Sequence, residues 1–190
     1  MESGADLPRR ERMYRYGRKD YERMAELGLF RDNRVELLYG MVVTMSPQGN
    51  EHAHAIRRLN MILAPALKDR AQVQVQLPLA LSDDSAPEPD VSIVAPGDYF
   101  DEQPRTAFLI VEVANDSLHD DRIIKGRLYA EAGVAEYWLI DLRRRRVERY
   151  LAPRDGVYTQ LTTHEAGETL CPQAFADIGV PLSDILPPVR

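Results

Sequence analysis

One stretch of six residues constrains the fold more than any other part of this sequence. Phe108–Val113 (FLIVEV) is apolar except for one glutamate, and nearly continuous apolar runs are typical of strands covered on both faces of a sheet. A helical pattern over Asp120–Ala132 follows, with Gly133 as its stop, and then a second apolar strand over Glu136–Asp141. Because strands and helices are mixed along the chain, the sequence predicts an α/β (α+β) fold with a central mixed β-sheet flanked by helices.

The rest of the chain adds elements of the same two kinds. A helix is predicted over Arg18–Phe30, and a longer helical pattern over Glu51–Arg70 contains Pro65, which should kink or end it. The further predicted strands are a hairpin pair (Arg34–Leu38 and Met41–Met45), one strand with clean alternation (Val73–Leu81), a short strand (Val91–Val94) and two late, more polar strands (Val147–Leu151 and Val157–Leu161).

The length of the chain fits a single domain. It has 190 residues, domains of ~150 residues are common, and the sequence shows neither an internal repeat nor a domain boundary. We expect residues 1–16 to form a mobile, polar N-terminal arm, residues 17–186 to form one domain, and residues 187–190 to form a tail.

The composition excludes several classes of protein. The longest uninterrupted apolar run, Ala107–Val111, is too short for a transmembrane helix of ~20 residues, and the arginine-rich segment Met1–Tyr16 lacks the apolar stretch of a secretory signal. Cys171 is the only cysteine, which excludes an internal disulfide and a cysteine-rich zinc site, so we expect a cytoplasmic protein without a membrane partner. The net charge of −6 disfavours a surface that binds nucleic acid everywhere, but it allows a locally basic or metal-neutralised cleft.

Three acidic residues lie in apolar strands, where a carboxylate is costly unless it is paired or binds a cation. Glu112 shares one strand face with Phe108 and Ile110; alternatively, it ends the strand and reaches solvent or an arginine. Asp90 follows Pro89 at the start of a short strand, or it is a turn residue. Glu36 lies in the first strand of the hairpin, or on a solvent-exposed face of that strand.

A lysine follows these acids in the predicted helix. Only three of the 24 basic residues are lysines, and Lys125 is one of them. Asp121, Lys125 and Tyr129 are four residues apart and share a helix face. The alternative is that Asp121 and Lys125 form a surface ion pair of little energetic value.

Taken together, these residues resemble a known order of motifs. The chain is similar to the PD-(D/E)XK, or restriction-endonuclease-like, nuclease superfamily, and within it to the bacterial Uma-type branch of restriction-endonuclease-like proteins. The resemblance covers roughly residues 15–162 and rests on seven short segments: RVELLYGMVVTM (34–45), EHAHAIRRL (51–59), QVQLP (74–78), PEPDVSIV (87–94), LIVEV (109–113), DRIIKGRLYAEA (121–132) and GVAEYWLID (133–141).

The resemblance implies a metal-dependent endonuclease that hydrolyses phosphodiester bonds, with DNA as the expected substrate and RNA left open. It implies Glu36, Asp90, Glu112 and Lys125 as catalytic residues. Mg²⁺ or Mn²⁺ would be bound by Asp90, Glu112, Glu36 and the main chain at Val113, since hard cations prefer oxygen ligands. The superfamily pattern places its lysine two residues after the strand glutamate, where this chain has Ala114. Lys125 on the next helix is therefore the candidate to orient or help deprotonate the attacking water.

Other residues carry weaker signals. His52, Gln76 and Tyr129 are candidates for contact with phosphate or water, although His52 is more simply interpreted as a surface histidine at a helix terminus. Arg143–Arg146 is interpreted as a solvated hairpin tip, with phosphate contact as the alternative. The sequence lacks the HExxH, GxSxG, P-loop and GxGxxG motifs of other enzyme classes.

Two questions stay open at this point. A homodimer is expected from the superfamily, because cutting both strands of a duplex uses two sites. The alternative function is a catalytically inactive nuclease-fold module for protein or nucleic-acid association, which the acidic net charge and the displaced lysine favour.

Overall fold

A computed structural model describes residues 13–46, 48–115 and 117–188 of the chain. The first elements are helix α1 (Arg18–Glu26), strands β1 (Val35–Leu38) and β2 (Met41–Thr44), and helix α2 (Asn50–Leu67). β1 and β2 form the predicted antiparallel hairpin. Tyr39 and Gly40 make its turn, and both have positive φ (50° and 74°), a conformation that glycine adopts without strain.

Six strands form a central sheet within these described residues. In spatial order they are β3 (Gln72–Val75), β4 (Val91–Val94), β5 (Leu109–Ala114), β6 (Glu136–Asp141), β7 (Arg146–Arg154) and β8 (Val157–Glu165). β5 and β6 are parallel, whereas the other neighbouring strands are antiparallel. The sheet is therefore mixed, as predicted.

A single helical segment connects the parallel pair. It consists of α3 (Leu118–Asp120), a π-helical turn (Asp121–Lys125) and α4 (Gly126–Glu131). A parallel pair needs such a crossover, because its strands cannot be joined by a tight turn.

Helices cover both faces of the central sheet. On one face, α2 packs its apolar stripe, including Leu59 and Leu63, against Val111 and Trp138. On the other face, Tyr129 of the crossover packs with Ile110, Tyr137 and Leu139. All six residues of β5 are buried, which confirms the prediction of a doubly covered strand.

Several element boundaries differ from the prediction. β3 ends at Val75 instead of Leu81, because Gln76 adopts a positive φ of 52° and turns the chain away from the ladder. α2 continues two residues past Pro65 before it ends. β7 and β8 are longer than expected, with nine residues each.

The C-terminal part of the chain contains elements that the sequence did not predict. β9 (Thr169–Leu170) and β10 (Val180–Pro181) form a short antiparallel pair, and α5 (Leu182–Ile185) packs against α2. Leu182 and Ile185 are fully buried in the core beside α2.

The division of the chain into arm, domain and tail stays a prediction. Residues 1–12 and 189–190, which make up most of the predicted arm and half of the tail, lie outside the described residues. Tyr16, at the end of the predicted arm, donates its backbone N–H to the carbonyl of Gly40 at 2.9 Å. No helix in the described part of the chain is long and apolar enough to cross a membrane.

Candidate active site

A lysine ammonium lies among buried carboxylates at one end of the central sheet. The Nζ of Lys125 is 3.0 Å from Oε1 of Glu36 and 3.1 Å from Oε1 of Glu112. Asp121 is a third neighbour, at 3.8 Å. Because all four side chains are at most 9% exposed, the ammonium and the acids are held together by strong, weakly screened attraction.

Asp90 lies in the same pocket and is fixed by three donors. Its Oδ2 accepts the backbone N–H of Val113 at 2.8 Å and is 3.0 Å from Nε2 of His52. Its Oδ1 accepts the side-chain amide of Gln76 at 3.1 Å. The antiparallel pairing of β4 with β5 produces this arrangement, since it brings the start of β4 beside the end of β5.

Glu112 is oriented by two donors on the crossover helix. Its Oε1 accepts the hydroxyl of Tyr129 at 2.5 Å as well as the ammonium of Lys125. Glu36 reaches the pocket from β1, and its Oε2 accepts the backbone N–H of Glu88 at 3.2 Å. Leu37, the next residue of β1, forms a bridge with Ala86 that holds the hairpin in place.

The crossover helix contributes to the pocket through its π-helical turn. Asp121 and Lys125 are both buried, although they begin and end this turn. The carbonyl of Asp121 accepts the hydroxyl of Tyr137 at 3.1 Å, and its carboxylate accepts the hydroxyl of Ser117 at 2.5 Å. π-Helical turns are rare and are often found at functional sites.

Burial and like charges shift the pKa values of this cluster. Burial raises the pKa of Glu112 well above its ordinary range; Lys125 lowers it, and Asp121, Asp90 and Glu36 raise it further. Burial raises the pKa of Asp121 as well. Burial would lower the pKa of Lys125, but Glu112, Glu36 and Asp121 raise it by more, so the net pKa is raised. The pKa shifts therefore favour the charged form of Lys125, and they make Glu112 and Asp121 hold a proton more tightly than usual.

The structure brings most of the predicted site residues together. Glu36, His52, Asp90, Glu112, Val113 and Lys125 all line one pocket. Gln76 and Tyr129 lie behind it and hydrogen bond to its carboxylates. The catalytic roles of these residues stay a prediction.

Several alternative interpretations are wrong. Glu36 is only 4% exposed, so it is not on a solvent-exposed face. Lys125 is 7% exposed, so its pairing with Asp121 is not a surface ion pair. His52 is not a surface histidine, because its side chain is 15% exposed and contacts Asp90.

Asp121 is a buried acid of the pocket that the sequence did not indicate as a site residue. The sequence pattern places it on one helix face with Lys125 and Tyr129, but it indicates no role beyond a possible pairing with Lys125. Its burial depends on the π-helical turn and on Tyr137 in the next strand, and neither can be seen in a short sequence pattern. The signal that could have found it was its position on the same helix face as Lys125 and Tyr129.

The chemistry of the pocket fits a hard divalent cation. One ammonium shares the pocket with five acidic residues (Glu36, Asp90, Glu112, Asp120 and Asp121), which leaves an excess of negative charge. Oxygen ligands suit Mg²⁺ or Mn²⁺. Among the residues that the structure describes, no three acidic, histidine or cysteine side chains are grouped closely enough to hold an ion. The ammonium of Lys125 occupies the space between Glu36 and Glu112 instead.

Comparisons with known proteins agree with this picture. A family model described as "Uma2: Putative restriction endonuclease" matches residues 18–183. No curated protein matches the chain. The fold is similar to the crystal structure of a "putative nuclease belonging to DUF820 from Anabaena variabilis ATCC 29413", with a TM-score of 0.63 and 16% sequence identity. That similarity covers 81% of this chain and 90% of the other, and at this identity it concerns the fold alone.

The family model spans most of the sequence, and the solved structure has a similar fold over most of both chains. The chain therefore belongs to the Uma2 family, within the restriction-endonuclease-like superfamily that its motifs resemble.

Proposed function

We propose that this protein is a metal-dependent endonuclease that hydrolyses phosphodiester bonds of DNA. One observation carries the proposal: a buried ammonium, that of Lys125, contacts two buried carboxylates beside a third, Asp90. Membership of a family of restriction-endonuclease-like proteins supports a nuclease, and members of this superfamily generally use divalent metals.

Asp90, Glu112, Glu36 and the main chain at Val113 would hold Mg²⁺ or Mn²⁺. When bound, the ion would polarise the scissile phosphate and lower the pKa of a water molecule. Asp90 is already held in position for this role, because Val113, Gln76 and His52 contact both oxygens of its carboxylate. A ligand that is held in this way loses little conformational entropy when it binds an ion.

Lys125 would act through its charge. Phosphodiester hydrolysis adds negative charge to the phosphate oxygens, and a fixed ammonium in a buried site stabilises that charge strongly. The raised pKa of Lys125 disfavours the predicted role in deprotonating the attacking water. Glu112 would keep the ammonium in position, and Tyr129 would hold Glu112, because Oε1 of Glu112 accepts a hydrogen bond from each of them.

The experiment that tests this function is cleavage of supercoiled plasmid DNA in Mg²⁺ or Mn²⁺, with single-stranded RNA in a parallel reaction. We expect the wild type to nick DNA, Asp90→Asn and Lys125→Met to be at least ~10²-fold slower, and exposed Lys19→Met to match the wild type. EDTA should stop the reaction. Equal cleavage by all four proteins would contradict the proposal, since it would indicate a contaminating nuclease.

A second candidate function is a nuclease-fold module that binds a partner without cleaving it. The position of Lys125 between the acids favours it, because the ammonium already neutralises part of the charge that a metal would neutralise. Calorimetric titration with Mg²⁺ and Mn²⁺ separates the two functions. Binding that disappears in Asp90→Asn and Glu112→Gln supports the enzyme, whereas no binding to the wild type supports the module.

We also propose that the active form is a cytoplasmic homodimer. Two copies of the pocket would allow the protein to cut both strands of a duplex. Light scattering at the enzyme concentration used for cleavage tests the dimer, and a monomer with full double-strand cleavage would contradict it. Cell fractionation tests the location.

A further inference from the structure

The turn between β6 and β7 lies at the same end of the sheet as the pocket. β5 and β6 run in parallel with Ala114 opposite Asp141, so both strands end together. Ala114 is two residues beyond Glu112, which places the end of β6, where the turn begins, about 7 Å further along the sheet, at ~3.3 Å per residue. The arginines that follow Asp141 are therefore close neighbours of the candidate active site.

The backbone of this turn is fixed to the strand that carries Glu112. The N–H of Leu142 donates to the carbonyl of Ala114 at 3.1 Å. The N–H of Arg144 donates to Oδ1 of Asp141 at 2.9 Å, and the N–H of Arg145 donates to the carbonyl of Leu142 at 3.3 Å. A rigid turn can present side chains in a constant position, which lowers the entropic cost of binding a ligand.

The four consecutive arginines are used in two ways. Arg145 donates to the carbonyl of Pro187 at 2.8 Å, and Arg146 pairs with Glu148 at 2.8 Å, so these two tie the turn to the body of the protein. Arg143 and Arg144 are exposed. The Nε of Arg143 donates at 3.3 Å to Asn115, a residue that lines the pocket. Arg144 keeps 61% of its side chain exposed while it pairs with Asp141.

The charge of the pocket explains why cations are needed there. Among the described residues that line it, Lys125 is the one lysine or arginine, and it shares the pocket with five acidic residues: Glu36, Asp90, Glu112, Asp120 and Asp121. An acidic pocket repels the phosphates on either side of the one being cleaved. Cations on the rim would offset this repulsion, and guanidinium groups bind phosphate oxygens in a planar, two-point geometry.

We propose that Arg143 and Arg144 form a phosphate-binding turn that holds the nucleic-acid backbone next to the active site. This inference rests on the proposed function and names the part of the substrate that the site grips. The contacts are to phosphate, so they add affinity without reading the base sequence. Arg144 gives up part of its pairing with Asp141 to bind a phosphate. Arg143, which contacts Asn115 at the rim of the pocket, adds a second phosphate contact.

The experiment measures binding of a fluorescently labelled duplex by anisotropy, in Ca²⁺ and over a series of salt concentrations. The double variant R143A/R144A is compared with R154A, which removes an exposed arginine at the opposite end of β7. We expect at least ~10-fold weaker binding by the double variant at low salt, and a slope of log Kd against log salt that is smaller by ~2. R154A should bind as the wild type does.

Two further measurements distinguish the causes of failure. R143K/R144K keeps the charges and should recover part of the affinity, and circular dichroism should show that all variants melt near the wild type. If the wild type binds no DNA, both the proposed function and this inference are overturned. If the wild type binds and the double variant matches R154A, the inference alone is overturned.

Discussion

At the scale of single residues, the most informative feature is a lysine that is buried with its counter-charges. Lys125 contacts Glu36 and Glu112 and lies near Asp121. Buried ion pairs add little to the free energy of unfolding compared with apolar residues of similar size. Removing one partner, however, leaves the other charges uncompensated and is strongly destabilising. The pair is thus better explained by a functional need for the charges than by stability.

We therefore predict that Lys125→Met destabilises the metal-free protein. Three buried carboxylates would lose their cation, and the free energy of unfolding should fall by ~3–5 kcal/mol at pH 8. Urea denaturation in EDTA measures this change, with Lys19→Met as an exposed control. A loss below ~1 kcal/mol would mean that the ammonium does not hold the acids together in solution.

The raised pKa of Glu112 predicts how stability depends on pH. Between its ordinary value of 4.5 and its raised value, the folded protein binds a proton that the unfolded chain has released, so metal-free stability falls as pH rises through this range. Asp121 contributes in the same direction.

Glu112→Gln removes the largest contribution, and its melting temperature in EDTA should rise relative to the wild type between pH 5 and pH 8. A pKa difference of one is worth ~1.4 kcal/mol, or about 3–5 °C in a chain of this size. A difference that is constant with pH would contradict this prediction.

How much of the site could be predicted depended on whether each residue had a local signal. Glu112 stands out because an acid interrupts an apolar strand, and Lys125 because lysines are scarce. His52 and Asp90 are 38 positions apart in the numbering, and their contact depends on how α2 packs on the sheet. That packing has no counterpart in a short motif, so the sequence suggested a surface histidine instead.

At the scale of elements, the π-helical turn Asp121–Lys125 decides which side chains face the pocket. Arg122 anchors the turn to β7 through two hydrogen bonds with Glu148, at 2.9 and 2.7 Å. Deleting Ile123, which is 56% exposed, would leave one residue fewer in the turn and rotate its ends by ~100° relative to each other.

We predict that this deletion lowers the rate of DNA nicking by ~10²-fold, because it displaces Lys125 or Asp121 from the pocket. The melting temperature in EDTA should also fall, because a displaced Lys125 leaves the buried carboxylates of Glu36 and Glu112 without their cation. Ile123→Ala is the matched control and should behave as the wild type. A deletion variant that nicks DNA at the normal rate would show that the turn does not position the site.

Elements with a strong internal pattern were predicted well. The doubly covered strands β5 and β6 and the hairpin β1–β2 agree with their apolar or alternating runs. β3 was predicted too long, because the alternation continues past Gln76 while the backbone does not. β9, β10 and α5 were missed, since they have two to four residues each and are stabilised by packing on α2 instead of by local sequence.

At the scale of the whole molecule, strand direction assembles the pocket from distant parts of the sequence. β4 is antiparallel to β5, so Asp90 at its start meets Val113 near the end of β5. The crossover helix returns Lys125 to the same end, and the β1–β2 hairpin adds Glu36. The sequence indicates candidate residues, but only the topology brings all of them to one place.

The proposed function depends on one claim: this pocket binds a divalent metal for phosphodiester hydrolysis. The most direct measurement is anomalous diffraction from crystals of the protein grown with Mn²⁺. We predict an anomalous peak in contact with the carboxylates of Asp90 and Glu112, which is lost in Asp90→Asn crystals. Crystals of the wild type at saturating Mn²⁺ with no peak in the pocket, or with a peak only elsewhere on the molecule, would contradict the claim.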